Sequence, residues 1–355
     1  MAAPESVPFH DGRPAVAEPI LEVDDLHVEF RLQRGTINAV NGVTYSLAAG
    51  ETLAILGESG SGKSVSAQAI MGLIDTPPGF VTRGSITFRG SDLLSGSEEE
   101  HRQIRGEGIA MVFQDALTAL NPVFSVGWQI GEMVRVHRGS SRKAAREHAI
   151  DLMERVGIPS ARERVDNYPH EFSGGMRQRV MIAMALALEP EVLIADEPTT
   201  ALDVTVQAQV MDLLKELQDE TGMGIILITH DLGVVAEVAD RIAVMYAGRI
   251  VETGDVGEIF ADPAHPYTEG LLRSIPHLDE RTGQLDPITG SPPSLGNIPP
   301  GCPFHPRCPY VRDNCRSGAV PPLYDVASGL ALPEDKVPEL RATACHYFQE
   351  VLDAD

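Results

Sequence analysis

Apolar and polar residues alternate along residues 26–30, and a similar pattern covers residues 37–47. Alternation with a period of two predicts half-buried strands, and residues 85–90 predict a further antiparallel strand followed by a turn. Four shorter runs are apolar throughout, at residues 53–56, 109–113, 192–195 and 225–228. Strands that are apolar on both faces and separated by helices predict a parallel sheet covered on both sides, an α/β fold.

Helical periodicity fills the middle of the chain, from about residue 116 to residue 188. The clearest case ends at Gly157 and has apolar residues at helical spacing, namely Ala149, Leu152, Met153 and Val156. Beyond the last buried run, residues 242–246 and 249–251 predict a hairpin that closes the α/β region.

Composition changes twice along the chain. A segment rich in Pro, Ala and charge predicts a flexible tail at residues 1–18, followed by the α/β domain at residues 19–262. Closely spaced prolines then predict a linker at residues 263–300. Residues 301–355 hold every cysteine and predict a small domain that needs a staple in addition to apolar burial.

Residues 57–64 read G-E-S-G-S-G-K-S and directly follow the apolar run 53–56. A glycine-rich loop between a strand and a helix points several N–H groups at one anion, and the helix adds its positive end. Lys63 is then expected to reach the β- and γ-phosphates of a nucleotide, and the Ser64 hydroxyl to hold Mg²⁺. The predicted nucleotide-binding residues are Gly57, Ser59, Gly60, Ser61, Gly62, Lys63, Ser64 and Val65.

Polar side chains follow three of the apolar runs, at Gln114, at Asp196-Glu197 and at His230. Because the carboxyl ends of parallel strands meet at one edge of a sheet, we expect these side chains to converge around the γ-phosphate. Asp196 is expected to bind Mg²⁺, and Glu197 to orient or deprotonate the attacking water. Each residue alone also fits a solvated strand end, but together with Lys63 they predict a hydrolytic site.

Residues 172–179 read F-S-G-G-M-R-Q-R and precede a helical run. Ser173 is a good N-cap, and Gly174 and Gly175 leave backbone N–H groups open to close approach. This is either an ordinary helix start or a second anion site. Since one nucleotide needs one phosphate loop, a second anion site indicates that another subunit completes the nucleotide site.

The charge and the lengths of the apolar runs limit the partners. Lys and Arg number 28 against 51 Asp and Glu, a formal net charge of -23, which argues against nucleic acid as a main partner. The apolar run 181–188 is far shorter than the roughly 20 residues that span a bilayer. The first residues lack the basic start and apolar core of a secretion signal, so we expect a cytosolic chain.

In this order, these segments resemble the motifs of the ATP-binding cassette (ABC) transporter ATPases. The resemblance covers about residues 20–262 and assigns the family's Walker A, Q-loop, signature, Walker B, D-loop and H-loop to residues 57–64, 114, 172–178, 194–197, 201–203 and 230. It implies a P-loop (RecA-like) core, an antiparallel β subdomain and a helical subdomain at about residues 115–189, followed by the small cysteine-containing domain.

Four further segments resemble the dipeptide/oligopeptide-permease ATP-binding subunits, at residues 114–122, 197–209, 265–268 and 301–309. The resemblance implies an ATPase that drives uptake of di- and oligopeptides. Two alternatives are an importer ATPase of the same branch for another solute, such as nickel or glutathione, and a soluble ABC ATPase acting in DNA or ribosome biology.

The resemblance also implies partners and residue roles. Two ATPase subunits, related but different chains, would close head to tail, with Ser173, Gly174 and Gly175 clasping the ATP of the partner and Asp203 near the interface. Gln114 would sense ATP as a further Mg²⁺ ligand, and the region after it would contact two transmembrane permease subunits. The chain would lie peripherally on the cytoplasmic face of the cell membrane and serve an extracytoplasmic peptide-binding protein indirectly. Arg34 falls near the position where the family stacks adenine.

The four cysteines do not form the C-x-x-C pairs of common zinc ribbons. Four thiolates suit a [4Fe–4S] cluster, which the resemblance to peptide importers also favours. Zn²⁺, with His305 or His346 as a substitute ligand, and free buried thiols are the alternatives. The predicted ligands are Cys302, Cys308, Cys315 and Cys345.

Overall fold

The computed structural model describes residues 18–199, 202–274, 288–333 and 341–353. Its strands are β1 Pro19–Leu32, β2 Gly35–Ala48, β3 Thr52–Leu56, β4 Gly79–Phe88, β5 Ser91–Asp92, β6 Ile109–Val112, β7 Val192–Asp196, β8 Gly224–Thr229, β9 Arg241–Tyr246, β10 Arg249–Asp255, β11 Tyr324–Asp325 and β12 Ala342–Thr343. Its helices are α1 Lys63–Ile70, α2 Glu98–Glu107, α3 Ala116–Ala119, α4 Val126–Arg138, α5 Arg142–Arg155, α6 Ala161–Arg164, α7 Gly174–Ala185, α8 Val204–Thr221, α9 Leu232–Val238, α10 Val256–Ala261, α11 Pro266–Arg273, α12 Asp313–Ser317 and α13 Phe348–Leu352.

The strands form two sheets. The antiparallel sheet has the order β2-β1-β4-β5, and the larger sheet has the order β11-β12-β10-β9-β3-β8-β7-β6. Strands β9, β3, β8, β7 and β6 run parallel, and every residue of β3, β6, β7 and β8 is buried. The predicted parallel sheet and the separate antiparallel layer are both confirmed.

Helices α3 to α8 share one hydrophobic core with the parallel strands β6, β7 and β8. In α5, the predicted apolar face is confirmed, because Ala149, Leu152 and Met153 are buried. Ser141 starts this helix by accepting a hydrogen bond from the N–H group of Ala144, and Gly157 ends it with a φ of 73°.

The predicted closing hairpin, β9 and β10, is not the edge of the sheet. Strand β12 pairs antiparallel with β10 and with β11, so residues from the cysteine-containing segment extend the main sheet. Two-residue strands have no periodicity to detect, so the sequence did not predict this pairing. The predicted domain bounds stay predictions. The predicted tail falls almost wholly outside the described residues, and so do Pro276 and Pro287 of the predicted linker.

Across residues 18–199, 202–274, 288–333 and 341–353, no helix combines the length and the apolar character needed to cross a membrane.

A buried carboxyl group fixes the chain beyond the hairpin. Glu252 in β10 is fully buried and accepts hydrogen bonds from the N–H groups of Ala264 and His265, at 2.7 and 3.0 Å. Burial raises the pKa of Glu252 to about 7, although these hydrogen bonds and Arg341 act in the opposite direction. Glu252 therefore anchors the start of α11 while it remains partly protonated near neutral pH.

This anchor predicts a pH-dependent stability. Because the folded-state pKa of Glu252, about 7, exceeds the ordinary 4.5, its contribution is complete below pH 4.5 and is lost as the pH rises through 7. In Glu252→Gln this loss is absent, so the free energy of unfolding relative to wild type should rise by roughly 2 kcal/mol between about pH 5.5 and about pH 8.5. Urea denaturation checks this, with exposed Glu220→Gln as the control. Parallel pH curves for wild type and Glu252→Gln would contradict the assignment.

Candidate functional site

The phosphate loop, residues 57–64, connects β3 to α1 through backbone that only glycine adopts easily. Gly57 and Gly62 have φ values of 149° and 104°. A Cβ atom at Gly57 would lie 2.2 Å from the carbonyl oxygen of Met245, and one at Gly62 would lie 2.4 Å from that of Ala39. Glycine is therefore required at both positions by dihedral angle and by space.

Lys63 lies inside this loop, and only 5% of it is exposed. Its ammonium group donates to the carbonyl oxygens of Gly57 and Glu58, at 2.7 and 3.1 Å. Burial lowers the pKa of Lys63, and the carboxylates of Glu197 and Asp196 oppose that effect. The ammonium group thus lies inside the loop that the sequence predicts to bind phosphate.

Ser64 and Asp196 meet across the sheet edge. The Ser64 hydroxyl donates to Oδ1 of Asp196 at 3.1 Å, although the two residues are far apart in sequence. Burial at the end of β7 raises the pKa of Asp196, and the hydrogen bond from Ser64 opposes this. A hydroxyl and a carboxylate are the oxygen ligands that Mg²⁺ prefers, so the donor set fits this ion.

Gln114, Glu197 and His230 converge, as their positions after three strands predicted. Nε2 of Gln114 donates to Oε2 of Glu197 at 2.7 Å, and Nδ1 of His230 lies 3.5 Å from Oε1. Glu197 has a φ of 47°, and its N–H group donates to the carbonyl oxygen of Ile228 at 2.8 Å. Each oxygen of the Glu197 carboxylate therefore faces a different polar side chain.

The remaining predicted residues belong to the signature segment at the start of α7, to the start of α8 and to the turn between β1 and β2. Ser173 caps α7 by accepting from the N–H group of Met176, and Asp203 caps α8 by accepting from that of Val206. A Cβ atom at Gly174 would meet nothing within 4 Å. Arg34 is exposed in the turn between β1 and β2. The roles of Ser173, Gly174, Gly175, Asp203 and Arg34 in nucleotide binding stay predictions.

Sequence reasoning missed two residues that touch the phosphate loop. The Tyr267 hydroxyl accepts from the N–H group of Glu58 at 2.9 Å. Arg307 forms two hydrogen bonds with the Glu58 carboxylate, at 2.5 and 3.0 Å. Both lie in segments that carried the family resemblance, at 265–268 and 301–309, but nothing in their spacing linked them to the loop.

The cysteines come together around one cavity of about 20 Å³, which His305 and His346 also line. All four are free thiols. Burial raises the pKa of Cys308 and Cys345 to about 12, and it also raises the pKa of Cys302. Within the described part of the chain, no group of three or more His, Cys, Asp or Glu side chains stands ready to hold a metal ion. The structure therefore shows the predicted convergence of the thiols but not a formed metal site.

A strand–loop–helix phosphate site faced by carboxylate, amide and imidazole groups defines a P-loop nucleoside triphosphatase. The ABC transporter family matches residues 40–200, and the family described as oligopeptide/dipeptide transporter, C-terminal region, matches residues 251–315. The chain therefore belongs to the ABC transporter ATPases, in their oligopeptide/dipeptide branch.

Individual proteins agree with this assignment. The dipeptide transport ATP-binding protein DppD of Bacillus subtilis (strain 168) is 56% identical over 292 residues, 82% of this chain and 87% of that protein. The oligopeptide transport ATP-binding protein OppD of the same organism is 58% identical over 294 residues, 82% of each chain. A post-hydrolysis dimer of the ATP-binding cassette MJ0796, bound to ADP and Pi, superposes with a TM-score of 0.61 at 27% identity, covering 66% of this chain and 98% of that one.

The geometry around Glu197 predicts a large catalytic defect from a small change. Glu197→Gln removes the proton acceptor but retains most of the side-chain volume, so ATP turnover should fall roughly 10²-fold or more while ATP still binds. Steady-state phosphate release and equilibrium nucleotide binding measure the two effects. Glu220→Gln, at an exposed ion pair with Arg155, is the matched control and should behave as wild type. Near-normal turnover in Glu197→Gln would rule out this residue as the base.

Proposed function

We propose that the chain is the ATP-hydrolysing subunit of an importer that takes up di- and oligopeptides across the cytoplasmic membrane. It would act from the cytoplasmic face as a peripheral subunit. One observation carries the proposal: the same chain joins the Gln114–Glu197–His230 arrangement to a C-terminal region of the oligopeptide/dipeptide type at residues 251–315. The relatives DppD and OppD are named as dipeptide and oligopeptide transport proteins.

Within one ATP site, the side chains divide the chemistry. Lys63 binds the β- and γ-phosphates, in exchange for its contacts with the loop carbonyl oxygens. Bound Mg²⁺ would neutralise charge on the phosphate oxygens, and Ser64, Asp196 and Gln114 are the residues to hold it. Glu197 orients the attacking water and takes its proton. His230 holds the Glu197 carboxylate in position from the opposite oxygen.

A second ATPase subunit completes the site in this proposal. Ser173, Gly174 and Gly175 lie at the start of α7, and Ser173 and Gly174 are exposed. Open N–H groups and a helix N-terminus suit a phosphate that another chain holds. Asp203, exposed at the start of α8, lies at the interface between the two subunits. The partner is a related but different chain.

Exposed apolar residues that flank Gln114 in the sequence suit the membrane-embedded partners. Phe124 and Trp128 stack with ring centroids 4.0 Å apart, and both are exposed. Phe113 is also exposed and lines a cavity of about 540 Å³ together with Met133 and Met181. Exposed apolar patches of this kind mark interaction sites. We assign this surface to two transmembrane permease subunits. These subunits would connect the chain indirectly to an extracytoplasmic peptide-binding protein.

The four thiols are assigned to a [4Fe–4S] cluster, with Zn²⁺ as the alternative. The donor set fits a cluster, because four cysteines line one cavity and the N–H group of Tyr347 donates to Sγ of Cys345 at 3.4 Å. A cavity of about 20 Å³ has room for about one water molecule, so the thiols must move apart to hold a cluster. Zn²⁺ would instead require them to close around one ion.

Co-purification and uptake test the transport proposal. The affinity-tagged chain, expressed from its native chromosome, should carry down two polytopic membrane proteins and a second ATPase. Glu197→Gln should abolish peptide-dependent growth, whereas Glu220→Gln should preserve it. Growth unaffected by Glu197→Gln, with uptake of nickel or glutathione lost instead, would assign the other solute class. Isolation without membrane partners would contradict a transport role.

Metal analysis tests the cysteine assignment. Anaerobically purified protein should contain about four irons and four acid-labile sulfides per chain, together with a visible charge-transfer band. Cys345→Ser should lose this content. Ser317→Ala is the control and should retain it, because Ser317 is close to Cys315 in sequence but is exposed. About one zinc without iron would replace the cluster with the zinc alternative. Metal-free protein with four titratable thiols would contradict both.

A further inference from the structure

The cysteine-containing segment reaches the phosphate loop through one arginine. Arg307, between Cys302 and Cys308 in sequence, places its guanidinium group on the Glu58 carboxylate, with Nη1–Oε2 at 2.5 Å and Nη2–Oε1 at 3.0 Å. Only 4% of the Arg307 side chain is exposed. A two-pronged contact made by a nearly buried guanidinium group is more directional and stronger than an ion pair between two exposed side chains.

The surroundings hold Arg307 in place from several sides. Nη1 of Arg307 also lies 3.4 Å from the hydroxyl of Tyr246. Tyr246, Tyr267 and Phe304 form a buried cluster, with ring centroids 4.6 to 5.4 Å apart. Tyr267 also accepts from the N–H group of Glu58. The side chain and the backbone of Glu58 are thus fixed by residues that all follow β8 in the chain.

Glu58 is well placed to affect a bound nucleotide. Its carbonyl oxygen accepts hydrogen bonds from the ammonium group of Lys63 and from the N–H group of Ser61, at 3.1 and 3.2 Å. A shift of the Glu58 peptide would therefore shift the residues that surround the phosphates. Its carboxylate also belongs to the same short loop, so without Arg307 it would repel the negative phosphates.

We propose that Arg307 is a positioning residue for ATP binding, through which the 302–308 turn holds the phosphate loop and neutralises Glu58. The inference rests on the proposed nucleotide site. It adds that the affinity of this site for ATP depends on a residue of the C-terminal segment that does not touch the nucleotide.

The test compares nucleotide affinity in the full-length chain, using a fluorescent ATP analogue with Mg²⁺. Arg307→Ala should raise the Kd about tenfold and raise the KM for ATP similarly, with kcat changed less than about twofold. Arg307→Lys should recover part of the affinity, because it restores the charge without the planar fork. Arg312→Ala is the matched control, since Arg312 pairs with Glu350 at the surface of the same segment.

A double-mutant cycle with Glu58→Gln separates this coupling from a general loss of stability. Arg307→Ala should have less than about a threefold effect on Kd in the Glu58→Gln background, because the repulsive charge is already absent. An unchanged Kd in Arg307→Ala, or the same tenfold loss in both backgrounds, would overturn the proposal. Lower kcat and melting temperature with an unchanged KM would show a structural role only. Failure of the wild-type chain to bind ATP would instead contradict the nucleotide site itself.

Discussion

The phosphate loop is held between the two sheets by contacts that leave no room for side chains. Gly57 lies against the carbonyl oxygen of Met245 in β9, and Gly62 lies against that of Ala39 in β2. The N–H group of Gly248 adds a hydrogen bond to the carbonyl oxygen of Ser61 at 2.9 Å. The position of the Lys63 ammonium group therefore depends on both sheets. A side chain at Gly57 or Gly62 would push the loop away from the sheet that it contacts.

The edge of the sheet that carries Glu197 depends on a second backbone constraint. Glu197 directly follows the buried strand β7 and adopts a left-handed conformation, which is unfavourable for a residue with a Cβ atom. The hydrogen bond from its N–H group to Ile228 of the neighbouring strand β8 offsets part of that cost. This turn brings its carboxylate to Gln114 and His230 rather than continuing along the strand. Strain is thus localised at the residue proposed as the base.

The sequence was sufficient where local pattern and position along the chain determine structure. Apolar runs identified the parallel strands, and because such strands share one edge, Gln114, Asp196 and His230 could be placed together before any coordinates. It was insufficient for contacts between distant segments. Arg307 and Glu58 are 249 positions apart, and β12 has only two residues, so neither leaves a periodic signal. The left-handed conformation of Glu197 was also missed, because Glu has no preference for it.

The C-terminal segment is attached firmly enough for one arginine to matter. It joins the main sheet where β12 pairs with β10. Arg341, which directly precedes β12, lies 3.6 Å from the buried carboxyl group of Glu252 in β10. Its 302–308 turn then packs through Phe304 against Tyr246 and Tyr267. Because these contacts already immobilise the segment, little additional entropy is lost when Arg307 pairs with Glu58. A contact on a freely moving tether would not hold the loop in one geometry, whereas this one can.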